Sequence, residues 1–343
     1  MKLFSTEQVS KWHPDKYADQ ISDSIVALAV SKNKNARVAV ETMVKDDIVI
    51  VAGEVGNVKL FKNEINNAIK NVASTLNYKV NKIINYIGQQ SRQINNAVDN
   101  EIELGAGDQG MVFGYATNET KSYLPYGFDL ANKIITIIEN DVDNNSKTIL
   151  KGDAKTQVTI DLDTQEVHTI LVSACHKEKL LHNDVIKYII ELLVKNDIKQ
   201  PKEWLINPAG IWTVGGATAD SGLTGRKIVA DQYGGYTAVG GGAFSGKDLS
   251  KVDRSGAYTA RNIAVDMLSL FKIKTCEIQI GYAIGVAKPI SVYVKTNDSN
   301  KDEIIEEYIK HNYDLRPKSM IDKLGNIDYV NLASGCHYKK GKI

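Results

Sequence analysis

The chain has 343 residues, 43% of them hydrophobic and 24% charged, which is enough apolar material for about two domains and allows one or three. That excludes a disordered tail protein, a collagen-like chain and a small disulfide-stapled scaffold. Lys and Arg total 42 against 41 Asp and Glu, a formal net charge of +1, and this disfavours a duplex nucleic-acid binder, which needs a basic surplus.

Three cysteines, Cys175, Cys276 and Cys336, occur without CxxC or paired Cys/His spacing and read as reduced thiols. The start, MKLFSTEQVSKWHPDK, lacks the apolar core of a signal peptide, and no run approaches the ~20 apolar residues of a membrane span. The expectation is a cytoplasmic protein with neither nucleic acid nor membrane as partner.

In chain order, the first clear element follows Pro14. Tyr17, Ile21, Ile25 and Leu28 recur at helical spacing, with Asp19 and Asp23 on the opposite side. Pro14 suits the first helical position, and Asp15 then lies beside the positive end of the helix dipole. Strand patterns at 36–44 and 47–55, joined at Lys45-Asp46, predict a hairpin. Val38, Val40 and Thr42 share one face of its first strand; Arg37, Ala39 and Glu41 share the other. Leu60, Ile65, Ala68, Ile69, Val72 and Leu76 mark a second amphipathic helix.

The stretch 88–118 is polar, Asn/Gln-rich and aperiodic, and reads as a long functional loop. The plan then repeats, with helix 127–140, strands 156–162 and 167–174, and helix 183–195. A glycine-dense tract follows Pro201 and runs to Gly246, which no regular element would tolerate throughout. Helix 255–271, strands 275–283 and 290–296, and helix 302–312 complete the pattern. Three comparable blocks predict an α/β or α+β fold of antiparallel hairpins covered by helices.

Two glycine motifs invite the wrong fold. Gly105-Ala106-Gly107-Asp108-Gln109-Gly110 fits GxGxxG, yet an acidic stretch precedes it where a dinucleotide site needs an apolar strand. Gly241 to Lys247 fits seven positions of the P-loop pattern, but Asp248 stands where a Ser/Thr hydroxyl would bind Mg²⁺. Both read as glycine turns, or as phosphate-binding loops on another fold.

The chemistry lies in loops carrying Lys, Arg and Asp among turn residues: His13-Pro14-Asp15-Lys16, Gly152-Asp153-Ala154-Lys155, Asp220 to Lys227, and Gly240 to Arg254. Singly, each has a bland reading as a helix cap or a solvated surface. Jointly, several cations, separated carboxylates and close-approaching glycine amides suit a polyphosphate with Mg²⁺.

These segments, together with VETMVK, GAGDQGMVFGYATNET, DAKTQVT, DSGLTGRKI and GGGAFSGKDLSKVDRSGAY, resemble the S-adenosylmethionine synthetase family from about residue 3 to residue 317. The resemblance implies three similarly built domains (1–100, 104–213 and 214–337) of mainly antiparallel sheet covered by helices in a pseudo-threefold arrangement. It also implies attack of the methionine sulfur on C5′ of ATP, followed by hydrolysis of the triphosphate to pyrophosphate and phosphate. Such attack needs alignment and stabilisation of the departing charge, not a general base.

Carried over by position, His13 is expected to hydrogen-bond the bridging oxygen at C5′, and Lys155, Arg226, Lys227 and Lys247 to grip the triphosphate. Asp153, Trp212, Asp220 and Ala243 complete the ATP contacts; Glu54, Gln90, Asp108, Asp220 and Lys251 surround methionine. Asp15 and Asp253 match Mg²⁺ ligands, two ions per site, and Glu41 matches a K⁺ ligand. The family further implies a homodimer or homotetramer with sites between subunits, and a gate at 88–107.

Some positions depart from the family pattern. Ile211 replaces an Arg before Trp212, Ala217 begins an altered turn, Arg92-Gln93 stands where Pro-Asp is common, and the C-terminus is short. Rival readings are an ATP-dependent phosphotransferase, which would leave ADP, and a regulatory subunit that binds nucleotide without turnover.

Overall fold

Residues 2–90 and 105–343 are described by the computed structural model. β1 (Leu3–Val9) leads into α1 (Pro14–Lys32), capped by His13. β2 (Arg37–Lys45) and β3 (Ile48–Gly56) form the expected hairpin, with Lys45 opposite Ile48 and Asp46 in the left-handed region at φ 52. α2 (Lys62–Thr75) then returns the chain to β4 (Lys82–Gln89), which runs parallel to β3. β5 (Gly110–Thr117), α3 (Tyr126–Asn144), β6 (Leu150–Asp161), β7 (Val167–His176), α4 (His182–Lys195) and β8 (Glu203–Ile206) follow.

Besides β8, the glycine-dense tract holds only short pieces: α5 (Gly216–Ala219), β9 (Gly222–Leu223) and α6 (Ile228–Asp231). α7 (Val252–Leu270), β10 (Thr275–Tyr282), β11 (Ser291–Thr296), α8 (Asp302–Asn312), α9 (Pro317–Leu324) and α10 (Tyr329–Ala333) complete the order.

Three mainly antiparallel sheets result, ordered β4-β3-β2-β9, β1-β6-β7-β8 and β11-β10-β5. α1 packs on β2, α3 on β6, and α7 on β5 and β10. Each sheet draws most of its strands from one stretch of chain and one strand from another. β1 crosses to β6, β9 to β2, and β5 to β10. The first and third sheets share one apolar core, while a second core fills the space between the β6–β7 sheet, α3 and α4.

The elements that the sequence reading does not name include β1, β4, β5, β8, β9 and both helices after residue 312, and β1 and β5 have a clear physical reason. β1 escaped notice because its inward positions are polar: Thr6 donates to the Gly234 carbonyl, and Gln8 donates to Asn132 and the Ala230 carbonyl. Its neighbours in the sheet replace the hydrophobic alternation by hydrogen bonds. The expected loop at 88–118 contains β5, whose two glycines broke the pattern. Gly114 lets α7 lie against the strand, since a Cβ there would stand 2.1 Å from the Ala260 carbonyl carbon. Gly114→Ala must push α7 away, an overpacking worth about 1–3 kcal/mol. The expected outcome is a lower denaturation midpoint, and an unchanged midpoint would contradict the close approach.

Candidate active site

Pro14 starts α1, and this leaves His13 outside the helix with its side chain over the first turn. Its Nδ1 accepts the Asp15 N–H at 3.1 Å, an N-cap bond that requires an unprotonated nitrogen. Burial, then the charges of Lys227 and Lys155, hold the imidazole down to a pKa of about 3. His13 is therefore neutral at physiological pH, with the proton on Nε2, and that N–H remains available to donate.

Asp15 follows in the same turn. Its carboxylate accepts from Lys227 at 2.5 Å and from the Leu223 N–H at 2.9 Å, with Arg226 Nε at 3.7 Å. Burial raises its pKa, but Lys227, the Leu223 N–H and His13 outweigh it and hold the carboxyl below its usual range. The β9 turn thus delivers Arg226 and Lys227 to the start of α1. Lys155 projects from β6, between Val9 and Ser173, close enough for its charge to act on His13 and on Asp153.

Asp153 is buried beside this group. One carboxylate oxygen accepts the Gly216 N–H at 2.6 Å and the other has no partner. Burial, opposed by that bond and by Lys155, pushes its pKa up to about 6. It borders a 490 Å³ cleft with Trp12, Tyr78, Cys175 and Thr213. The exposed carboxylate of Asp220 is near enough to raise Asp153 further, and its own Oδ1 caps Ser221 N.

Trp212 is half-buried on the chain next to this cleft. Its indole N–H donates to the Val214 carbonyl at 2.6 Å, while Ile211 is exposed. His176, to which the sequence assigns no role, supports this segment structurally. Buried at the end of β7, it accepts the Trp212 N–H on Nε2 at 3.2 Å, and its own backbone N–H donates to the Trp212 carbonyl at 2.9 Å.

A second group forms around the start of α7. Lys247 bonds Asp253 at 2.5 Å, and Asp253 sits under Gly242 and Gly110. Lys251 is the N-cap residue of α7, and Gly107, beside Asp108, lies over Ser250. Gly246, at φ +82, holds its turn where a Cβ would meet the Val40 carbonyl oxygen at 2.0 Å, so any side chain would be forced out. Lys247 bridges Ala39, which pairs with Glu54, which in turn pairs with Gly88, two residues before Gln90. Ala243 touches the other loop: a Cβ on Gly225 would lie 2.6 Å from its Cβ.

The expected site residues therefore fall into two groups. Leu223 pairs with Met43 of β2, whereas Lys247 bridges Ala39, four residues away, a backbone separation of about 13 Å. Lys227 turns to Asp15 and Lys247 turns to Asp253. Glu41 lies between these rows on the outer sheet face, exposed, in line with Ala52 and Tyr86. The gate reading at 88–107 and the Arg92-Gln93 departure fall mostly or wholly outside the described residues. Among the described residues, no three His, Cys, Asp or Glu side chains converge as a ready metal cage.

Carboxylates paired to cations on glycine turns, beside a neutral histidine at a helix start, define an enzyme built for a charged polyphosphate substrate. Three family models match the chain in succession: the S-adenosylmethionine synthetase N-terminal domain over residues 1–101, the central domain over 103–212 and the C-terminal domain over 214–343. The S-adenosylmethionine synthase of Borreliella afzelii (strain PKo) is 41% identical over 347 residues, covering 94% of this chain and 88% of that protein. That of Mycoplasmopsis synoviae (strain 53) is 43% identical over 337 residues with the same coverage. A solved structure, described as an unusual S-adenosylmethionine synthetase from Campylobacter jejuni, matches with a TM-score of 0.89 at 34% identity, covering 100% of this chain and 95% of that one.

The chain belongs to the S-adenosylmethionine synthetase family. It is a methionine adenosyltransferase, and its substrates are ATP and L-methionine.

The Asp153 environment carries a pH dependence. Below about pH 4 the folded and unfolded chains both hold this proton, and between about pH 4 and 6 only the folded chain does. As pH rises through about 6, the folded state comes to bear a buried charge that costs about 2–3 kcal/mol. Asp153→Asn is expected to raise the melting temperature of the ligand-free enzyme at neutral pH, with the gain vanishing near pH 4. A gain independent of pH would contradict the assignment.

Proposed function

We propose that adenosyl transfer takes place at a site assembled from two copies of the chain. One copy supplies His13, Asp15, Asp153, Lys155, Trp212, Asp220, Arg226 and Lys227; the other supplies Glu54, Gln90, Asp108, Ala243, Lys247, Lys251 and Asp253. The observation that carries this reading is the split of the site residues into two groups along β2, each turned to its own carboxylate. The outer face of that sheet supports it, since Met43 and Tyr86 are 42% and 74% exposed there and invite a covering surface. A homodimer satisfies this, and a homotetramer would be two such dimers.

Within the site, methionine sulfur attacks C5′ of ATP, the C5′–O bond breaks, and its electron pair leaves with the triphosphate. The neutral His13 Nε2–H donates to that departing oxygen, a bond that strengthens as charge develops. Lys155, Arg226, Lys227 and Lys247 balance the triphosphate, and Arg226 steers the water that then cleaves it to pyrophosphate and phosphate. The carboxylates of Glu54, Asp108 and Asp220 take the methionine ammonium and tolerate the sulfonium product. Asp15 and Asp253 would each give one carboxylate to a Mg²⁺. That suits a cation which fills its remaining positions with phosphate oxygens and water. Mg²⁺ bound there would neutralise polyphosphate charge, and Glu41 would offer one exposed carboxylate to K⁺. Three buried free thiols suit a cytoplasmic setting. The blocks 1–100, 104–213 and 214–337 are read as the three domains, with β1, β5 and β9 exchanged between them.

Incubation with ATP, L-methionine, Mg²⁺ and K⁺ should yield S-adenosylmethionine with equal pyrophosphate and phosphate; ADP would mean phosphoryl transfer instead. His13→Ala should lower kcat far more than it weakens ATP binding. Co-expression of His13→Ala with Lys247→Ala chains should recover about a quarter of wild-type activity, because half the dimers carry one intact site of two. No recovery would favour a site built within one chain.

A further inference from the structure

The sequence set Asp19 and Asp23 on the side of α1 opposite its apolar stripe, yet both are fully buried. With Asp15 they place one carboxylate on each successive turn of the helix. Each accepts one backbone N–H at 2.9 Å: Asp15 from Leu223, Asp19 from Gly225 and Asp23 from Gly246. Gly225 directly precedes Arg226-Lys227, and Gly246 directly precedes Lys247.

Other bonds lock these carboxylates in turn. The second oxygen of Asp19 accepts from Lys16 at 3.0 Å, and Lys16 also bonds Asp231 at 2.5 Å. Asp23 forms a two-pronged pair with Arg254, both contacts at 2.7 Å. Arg254 then donates to the carbonyls of Phe244 and Lys247, each at 3.0 Å, so it grips the same loop from its other side. Buried ion pairs of this kind are poor sources of stability compared with apolar packing. Their geometry fits a different use.

We propose that Asp19, Asp23 and Arg254 are positioning residues of the reaction, clamping to α1 the backbone that aims Arg226 and Lys247 at the triphosphate. The proposal rests on the reading of those two cations as triphosphate ligands. Neither carboxylate touches substrate; each acts through the cation that follows its loop glycine.

Asn at position 19 keeps the shape but must turn its amide N–H₂ towards Lys16 or towards Gly225 N–H. The Lys16 charge selects the oxygen, so the loop bond is lost. Asp19→Asn should lower kcat for adenosyl transfer and for hydrolysis of added tripolyphosphate about 10–100-fold, with the KM for methionine within about twofold. In an Arg226→Ala background the same change should cost less than about twofold, because the group it aims is gone. One Asp23 oxygen takes both the Gly246 N–H and Arg254, so an Asn would keep that oxygen and Asp23→Ala is the informative change; crossed with Lys247→Ala it should behave alike. Should Asp23→Ala fail to fold, Arg254→Lys keeps the charge beside Asp23 while losing the paired grip on the Phe244 and Lys247 carbonyls, and it is expected to be equally non-additive with Lys247→Ala. Penalties that multiply in full, or variants with wild-type kcat, would overturn the positioning role. A wild-type enzyme that makes S-adenosylmethionine while Arg226→Ala and Lys247→Ala lose nothing would instead overturn the site reading beneath it.

Discussion

Over residues 14–26 the helix α1 is buried on every side and must place its polar groups against protein, which it does with Asp15, Asp19 and Asp23. Their hydrogen bonds reach Leu223, Gly225 and Gly246, which belong to segments more than 200 positions away. Apart from the two-residue β9, no regular element stabilises those turns from within. Their shape depends on acceptors supplied by a rigid helix, and the cations they carry inherit its precision. The helix start performs the same service for His13, whose capping bond fixes both its orientation and its tautomer.

The sheets are tied together in a comparable way. β1 completes the sheet of β6, β7 and β8; β9 completes that of β2; β5 completes that of β10. No sheet can reach its full width from one stretch of chain. The residues proposed for the site lie along these crossings: Lys155 stands where β1 meets β6, and the β9 turn brings Arg226 and Lys227 to β2.

How much of this the sequence revealed depended on whether an element's inward face is apolar at regular spacing. Helix α1, the β2–β3 hairpin and α7 announced themselves that way, although α7 packs on β5, over a hundred positions away. The cation and carboxylate loops were legible because their residue types suit polyphosphate and their motifs resemble one family over nearly the whole chain. β1 and β5 were not legible. Buried polar side chains and glycines stand where alternation would have marked them, and partners over a hundred positions away make those choices sensible. Asp19 and Asp23 looked like a polar helix face because the segments that bury them arrive from the far end of the chain. The partner that fixes the Trp212 segment, His176, likewise lies 36 positions away and gave no local signal.

The pairing of β5 with β10 also sets a schedule for synthesis. Thr117 meets Thr275, so β5 is made 158 residues before the strand that completes it. At ribosomal speeds of about 5–20 residues per second, Val112 and Phe113 wait some ~8–30 s beside an open strand edge. α7, which covers the same strand, emerges only shortly before β10. The nascent chain therefore carries an adhesive edge through nearly half of its translation. Conditions that slow elongation through residues 120–275 lengthen this window, and the yield of folded enzyme becomes sensitive to chaperone supply in a way that the stability of the finished molecule does not disclose.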